Sequence, residues 1–513
     1  MDFAFEVRES DLMGRTGILK VGGKVLETPC LFPVIHPVNQ AVTTHELKAM
    51  GFRGLMTNSY IISSRRSQEA LKKGIHRMLD FDGVFMTDSG GYQVLEYGDL
   101  ATDYRKVARF QAGIGSELAV TLDKPTGFSE SEAYARSTMK LSLANAVATM
   151  DEFGEEETTW VGPVQGGLFP RLLEKSAAAL VDAGFEFLAL GSPVQVMENY
   201  RFSDLAGMIL ATKRAVPYSV PLHLFGAGHP LTMALAVALG CDTFDSASYI
   251  LFAREGRYMT ERGVSKLKSM KYLPCSCRVC EKTSVKGLME LSRQERTRLL
   301  AVHNLLVLRK EVEACKEAVV EGRLWDLVRE KAACHPKLSE ALRELSHAGR
   351  ALREGTPPLK ERGLLLRDSV DRLRPELAEA KERLRQATTR SSDTAVLVSG
   401  GGSLPFDMLR LPSDLPRNAD FYRVHPVLGP YPAELDFVYP FTQTVCPSDA
   451  EKDERSDAAA KHLRAIGYTR VRRIRARVSR RFEGGRPRSR PRSKGSSPSA
   501  PSSSSRPRSP RRP

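Results

Sequence analysis

The chain has 513 residues, 42% of them hydrophobic, an ordinary share for a soluble globular protein and enough length for two to four domains of about 150 residues. Its formal charge of +15 sits in one place: residues 470–513 hold sixteen Lys or Arg against the single acid Glu483, so residues 1–469 balance to zero and the charge gives the folded body no nucleic-acid signal of its own. No run approaches the roughly 20 apolar residues that span a bilayer, MDFAFEVRESD lacks the basic and apolar regions of a secretory signal, and most of the eight cysteines are scattered singly, so a cytoplasmic protein with no membrane association and no disulfide framework is expected.

Residues 1–27 carry a hairpin signal at Val21-Gly22-Gly23-Lys24, expected to cover the bottom of the element that follows. Eight apolar, β-branched-rich runs then occur at 28–35, 54–60, 83–89, 118–123, 159–165, 185–192, 221–228 and 243–249. Continuous apolar runs bounded by turns are strands buried on both faces, the pattern of a parallel sheet. Intervening segments such as TTHELKAMG, FPRLLEKSAAALVDAG and HPLTMALAVALG have helical apolar spacing. Eight such alternations over about 250 residues predict an α/β fold, a (β/α)8 TIM barrel; a doubly wound open sheet is the alternative.

After the eighth run come Cys275-Ser276-Cys277-Arg278-Val279-Cys280 and then one or two amphipathic helices over 290–330, with His303 on the first. Three grouped thiols and one helical imidazole suit a tetrahedral zinc ion, and four protein ligands leave no open position, so the role is structural. Residues 1–335 are therefore expected to form the barrel with a zinc subdomain at about 270–330. Residues 336–469, charged helices followed by a Gly/Pro-rich stretch, form an α+β accessory region. The Arg/Ser/Pro composition of 470–513 predicts a disordered basic tail.

Catalytic groups of a barrel come from the C-terminal ends of its strands. Here those ends carry Asp88 with Ser89-Gly90-Gly91-Tyr92, then Asp123, Gln165-Gly166-Gly167, Gly191-Ser192, Gly226-Ala227-Gly228-His229 and Asp245. Asp123 and Gln165 can read donor and acceptor edges of a planar heterocycle, the glycines admit close backbone approach, and Tyr92 can stack on the ring. Asp88 and Asp245 can share nucleophilic and acid/base work at a glycosidic carbon. The plain alternative for each strand-end Asp is a helix cap. His229-Pro230 suits a turn and helix start, His36 and His76 have no evident partner, and Arg254, Arg257 and Tyr258 suit either contacts to phosphates or a solvated loop. A metal-dependent hydrolase would need His or carboxylate ligands at the strand ends around an open metal site, and apart from His229 in its turn those ends lack histidines.

The segments MTDSGGYQV, LDKPT, VQGG, HLFGAGHP, FDSASY, RYMT, PCSCRVC and ERTRLLAVHNL occur in that order, and through them the chain resembles the tRNA-guanine transglycosylases, especially the archaeal type. The resemblance covers residues 3–330 closely and extends more loosely through YPFTQ at 439–443. It implies that Asp245 attacks the ribose C1′ of a guanosine in tRNA and forms a covalent enzyme–RNA intermediate, with Asp88 as general acid/base; some descriptions of the family make the position of Asp88 the nucleophile, so both are carried as catalytic. Asp123, Gln165, Gly191 and Ser192 would hold the base, Tyr92 would stack on it, and Cys275, Cys277, Cys280 and His303 would bind Zn2+. The implied reaction replaces guanine 15 of the D-loop with 7-cyano-7-deazaguanine in archaeosine biosynthesis, without a nucleotide cofactor, in a homodimer joined through the zinc region. Queuine-type exchange at guanine 34, or a catalytically silent tRNA-binding subunit, are the alternatives. Three departures stand out: VQGGLF has the second glycine of the wobble-position enzymes, Ser192 stands where a glycine is common, and no PUA module is evident, so a separate PUA-domain chain is a possible partner.

Overall fold

The computed structural model describes residues 3–91, 103–128, 131–387, 390–399, 404–416, 418–446 and 452–478. Three antiparallel strands come first, β1 (Ala4–Asp11), β2 (Gly14–Val21) and β3 (Lys24–Thr28), with β2 and β3 joined at Gly22-Gly23. Both turn glycines have positive φ, the left-handed conformation that a two-residue hairpin requires.

Eight parallel strands follow: β4 (Cys30–Pro33), β5 (Gly54–Asn58), β6 (Val84–Asp88), β7 (Leu118–Val120), β8 (Thr159–Val164), β9 (Phe187–Leu190), β10 (Leu222–Leu224) and β11 (Thr243–Ser246). They run in sequence order from β5 to β11, and β11 pairs with β4. The ring closes between β4 and β5 at the Val34–Met56 bridge, where the Ile35 N–H donates to the Met56 carbonyl at 2.8 Å. Each strand lies inside the predicted run, and helices fill the crossovers, so the barrel forms and the open sheet does not. All residues of β5 and β8 are buried, as two covered faces demand.

The inward side chains Phe32, Met56, Met86, Val120, Val161 and Phe187 make one cluster with Leu19, Val21 and Leu26 of the first sheet, which thus plugs the lower end of the barrel as expected. A buried ion pair fastens the plug: Arg15 donates through Nε and Nη2 to the two oxygens of Asp242, at 2.7 and 2.9 Å, just before β11.

Beyond β11 come a hairpin of β12 (Arg257–Thr260) and β13 (Gly263–Lys266), the cysteine segment, and the helices Arg293–Val320 and Leu324–Ala332. The longer helix opens with a capping box between Ser292 and Glu295. In the accessory region a four-stranded sheet orders its strands 429–432, 420–425, 394–399 and 470–475, backed by the helix Lys452–Ala465.

One boundary is corrected. The basic segment was expected to be disordered from 470, yet Arg470–Arg475 runs parallel to Thr394–Ser399 and Arg477–Val478 pairs with Leu409–Arg410. Composition misleads here because Ile474 and Ala476 enter an apolar cluster with Val396 and Val398, while the arginines stand outside the sheet and Arg472 and Arg473 meet Asp414 and Asp457. Residues 479–513, the rest of that tail, lie outside the described residues.

Candidate active site

The polar strand ends converge. A cavity of about 190 Å³ is lined by Asp88, Asp123, Gln165, Gly191, Ser192 and Asp245, with Met56, Val194 and Phe225 as apolar walls. A second hollow of about 280 Å³ shares Met56, Asp88 and Asp245 with the first and continues past His36, Asn39, Asn58 and Arg254. Asp88 and Asp245 therefore stand where the two spaces meet. Tyr92, expected to stack on a base, lies outside the described residues.

Neighbouring elements rather than helix caps hold the carboxylates. Asn58, the last residue of β5, accepts from the Ile61 N–H to cap the following helix and donates through Nδ2 to Asp88 Oδ2 at 2.7 Å. Burial pushes the Asp88 carboxyl up to about 7, with added repulsion from Asp123 and Asp245 outweighing the hydrogen bonds from Gly90 and Asn58. Asp123 rises to about 6 through burial, against hydrogen bonds from Gln165 and Ser89 that favour its ionised form. Asp245 accepts at Oδ1 from the Gly226 N–H at 2.8 Å and lies 3.0 Å from His223 Nε2.

Gln165 has a different posture from the one its position suggests. It is fully buried: Nε2 donates to Asp123 Oδ2 at 2.6 Å, and Oε1 accepts from the Thr126 N–H and hydroxyl and from Ser192 Oγ. It braces Asp123 as well as lining the cavity. Gly191 is required by this contact, since a Cβ there would lie 2.4 Å from Gln165 Nε2. Ser192 sits at φ +61, the left-handed region that favours glycine, and its hydroxyl accepts from the Gly127 N–H and donates to Gln165, bonds a glycine could not make.

In the segment after β13, the ligand atoms of Cys275, Cys277 and Cys280 lie with that of His303, all within 4.8 Å of one another. His303 Nδ1 is 3.5 Å from Cys277 Sγ and 3.4 Å from Cys280 Sγ, close to the roughly 3.5 Å between sulfur and nitrogen around a tetrahedral zinc. His303 Nε2–H donates to the Met259 carbonyl at 2.8 Å, which leaves Nδ1 free to ligate. The four residues thus fit a metal ion.

Tyr258, grouped with Arg254 and Arg257 as a candidate RNA contact or part of a solvated loop, is neither. It is buried, stacks on His303 with centroids 3.8 Å apart and lies with its hydroxyl 3.2 Å from Cys280 Sγ, because β12 turns it inward toward the cluster. His76 also has partners, Glu117 at 2.7 Å and Lys24 at 3.1 Å, and His36 Nδ1 accepts from the N–H groups of Val38 and Asn39. His229 forms the expected turn, its carbonyl accepting from Thr232 at the start of the helix Met233–Ala238.

The sequence reading missed two residues of the site. Asn58 looked like any polar strand end. His223 lies inside β10 and is fully buried rather than at a strand end; a polar residue within the apolar run PLHLFG was its signal.

The family described as Queuine tRNA-ribosyltransferase matches residues 10–337, the barrel and the cysteine–histidine cluster together. The chain belongs to the tRNA-guanine transglycosylase family. Family members similar to it include tRNA-guanine(15) transglycosylases of Aeropyrum pernix, 40% identical over 87% of this chain and 88% of its own, and of Sulfolobus acidocaldarius, 37% identical over 88% of this chain and 90% of its own. That of Methanopyrus kandleri is 37% identical over 88% of this chain and 98% of its own. Members of the transglycosylase family are pentosyltransferases, and the carboxylates at two adjoining hollows are groups suited to base exchange at a sugar carbon. Among the described residues no helix is long and apolar enough to cross a membrane.

Proposed function

We propose that this enzyme replaces guanine 15 in the D-loop of tRNA with 7-cyano-7-deazaguanine, in archaeosine biosynthesis, by two displacements at one ribose carbon. The observation that carries the reading is the position of Asp88 and Asp245 at the junction of two hollows, one walled by base-reading groups and the other open toward Asn39 and Arg254. The flipped base enters the first hollow and the ribose-phosphate chain follows the second.

Asp245 attacks C1′, forming a carboxylate–ribose ester as the C1′–N9 bond of guanine breaks. Asp88, its carboxyl raised to about 7, carries a proton near neutral pH and gives it to the departing purine. It then takes the N9 proton of the incoming base, whose nitrogen attacks C1′ and frees Asp245. Each proton given is recovered, and the RNA chain is never cut. Asp123, braced by Gln165, accepts from the base edge, and the Gly191-Ser192 backbone lies along the cavity wall.

Cys275, Cys277, Cys280 and His303 would hold Zn2+, which supplies a cross-link between the cysteine segment and the helix Arg293–Val320 and takes no part in the displacement. The similarity to proteins named for guanine 15 favours that position over guanine 34. The test is release of labelled guanine from tRNA transcripts lacking one guanine or the other. Exchange that survives loss of guanine 15 but not of guanine 34 overturns the reading.

A further inference from the structure

His223 is fully buried and takes no part in the displacement as written above. Its place follows from strand register. In the parallel pair β10–β11, His223 is opposite Thr243, and Thr243 and Asp245, two residues apart on β11, point to the same face. The imidazole therefore lies in the barrel interior directly beneath the carboxylate, with Nε2 3.0 Å from Asp245 Oδ1 and Nδ1 2.8 Å from Thr243 Oγ1.

The protons on this chain are decided by its ends. An ionised carboxylate oxygen can only accept, so Nε2 carries the hydrogen facing Asp245. The Thr243 hydroxyl can donate to a bare Nδ1, a partnership that favours the tautomer with its hydrogen on Nε2. The rings of Phe32, Phe187 and Phe225 meet the imidazole edge-on or nearly so, at centroid distances of 6.2, 6.5 and 5.0 Å, and block rotation. With the Gly226 N–H also on Oδ1, two donors fix one oxygen of Asp245, and among the described residues Oδ2 is left without a donor.

We infer that His223, locked by Thr243, is a positioning residue that pins Oδ1 of Asp245 and thereby selects Oδ2 as the oxygen that attacks the ribose. The inference rests on Asp245 being the nucleophile. A carboxylate held by one oxygen presents the other at a fixed distance and angle, whereas a freely rotating carboxylate spends most of its time misaligned. Misplacement of a reacting group by about 1 Å can slow a reaction on the order of 100-fold. The effect belongs to the chemical step and not to tRNA binding, because His223 has no exposed surface to offer RNA.

The test uses the full chain with tRNA and measures both the rate at which the covalent adduct forms and the KM for tRNA. His223→Phe keeps the aromatic volume and removes the donor; adduct formation should slow on the order of 100-fold with KM changed by less than about 2-fold. His223→Gln keeps an N–H donor near the position of Nε2 and should recover the rate to within about 10-fold of wild type. A ring that serves only as packing predicts the opposite order, with the Phe variant active and the Gln variant impaired. Thr243→Val keeps the histidine and removes the tautomer lock, so it should slow adduct formation by about 10-fold, and it decides the matter if either His223 variant fails to fold. A Phe variant as fast as wild type, a Gln variant no faster than the Phe variant, or an unaffected Thr243→Val overturns the inference. A wild-type chain that forms no adduct overturns the reading of Asp245 as well, which separates the two failures.

Discussion

Gln165 donates through Nε2 to Asp123 Oδ2 at 2.6 Å while its Oε1 takes three donors, so one buried carboxamide ties the ends of β7, β8 and β9 together. Gln165→Glu replaces that donor with a second acid. The two carboxylates must then share a proton, and Asp123, already raised to about 6, moves higher. Affinity for the incoming base should fall by at least about 10-fold at pH 8 and by less at pH 6, where the shared proton is present. KM for the base at the two pH values checks this; equal losses would disconnect Gln165 from the ionisation of Asp123.

Asp88 carries an opposed pair of predictions. Its folded-state carboxyl titrates near 7 against an ordinary 3.8, so the native state binds more protons than the unfolded chain between those values. Stability from this group is present at low pH and is lost as pH rises toward 7. Asp88→Asn removes that loss, and its stability relative to wild type should climb by a few kcal/mol between pH 4 and pH 8. Base exchange should be abolished at both. Denaturant unfolding across pH and a guanine-exchange assay measure the two halves.

Adduct formation by the wild-type enzyme should decline above about pH 7 as Asp88 loses its proton, since the leaving purine then departs without one. Single-turnover rates from pH 5.5 to 8.5 would show it. A rate flat across that range would remove Asp88 from the proton transfer.

Metal removal should act on folding rather than on the displacement. Elemental analysis is expected to give one zinc per chain, and His303→Gln or a chelator should lower Tm by about 5 °C or more. Variants that still fold at the assay temperature should retain the chemical step, because the cluster lies against β12 and not in the base cavity. Unchanged Tm after complete metal loss would contradict a structural ion.

The pair Arg15–Asp242 tests the plug. Both side chains are 1% exposed, so Arg15→Met leaves a buried, uncompensated carboxylate and should cost about 3 kcal/mol in denaturant unfolding. Exchange per folded molecule should be unchanged, since neither residue lines the cavity.

Much of this was legible in one dimension because it depends on local composition. Eight doubly buried strands read as eight apolar runs, the grouped cysteines announced by spacing a cluster that could hold a metal ion, and Asp88, Asp123 and Asp245 were visible as polar residues ending apolar runs. The basic segment at 470 was misread because strand pairing with Thr394–Ser399 is a long-range event that arginine-rich composition hides.

By itself the sequence determined the barrel, the carboxylates at its mouth and the thiols after its last strand, since periodicity and spacing are properties of neighbours along the chain. Only the tertiary structure decided that Gln165 braces Asp123, that Tyr258 packs on the cysteine–histidine cluster, and that His223 lies under Asp245. These are choices of hydrogen-bond partner between residues 20 or more positions apart, and they follow from strand register and burial: a polar group taken out of water pairs with whichever partner the fold brings within hydrogen-bond reach.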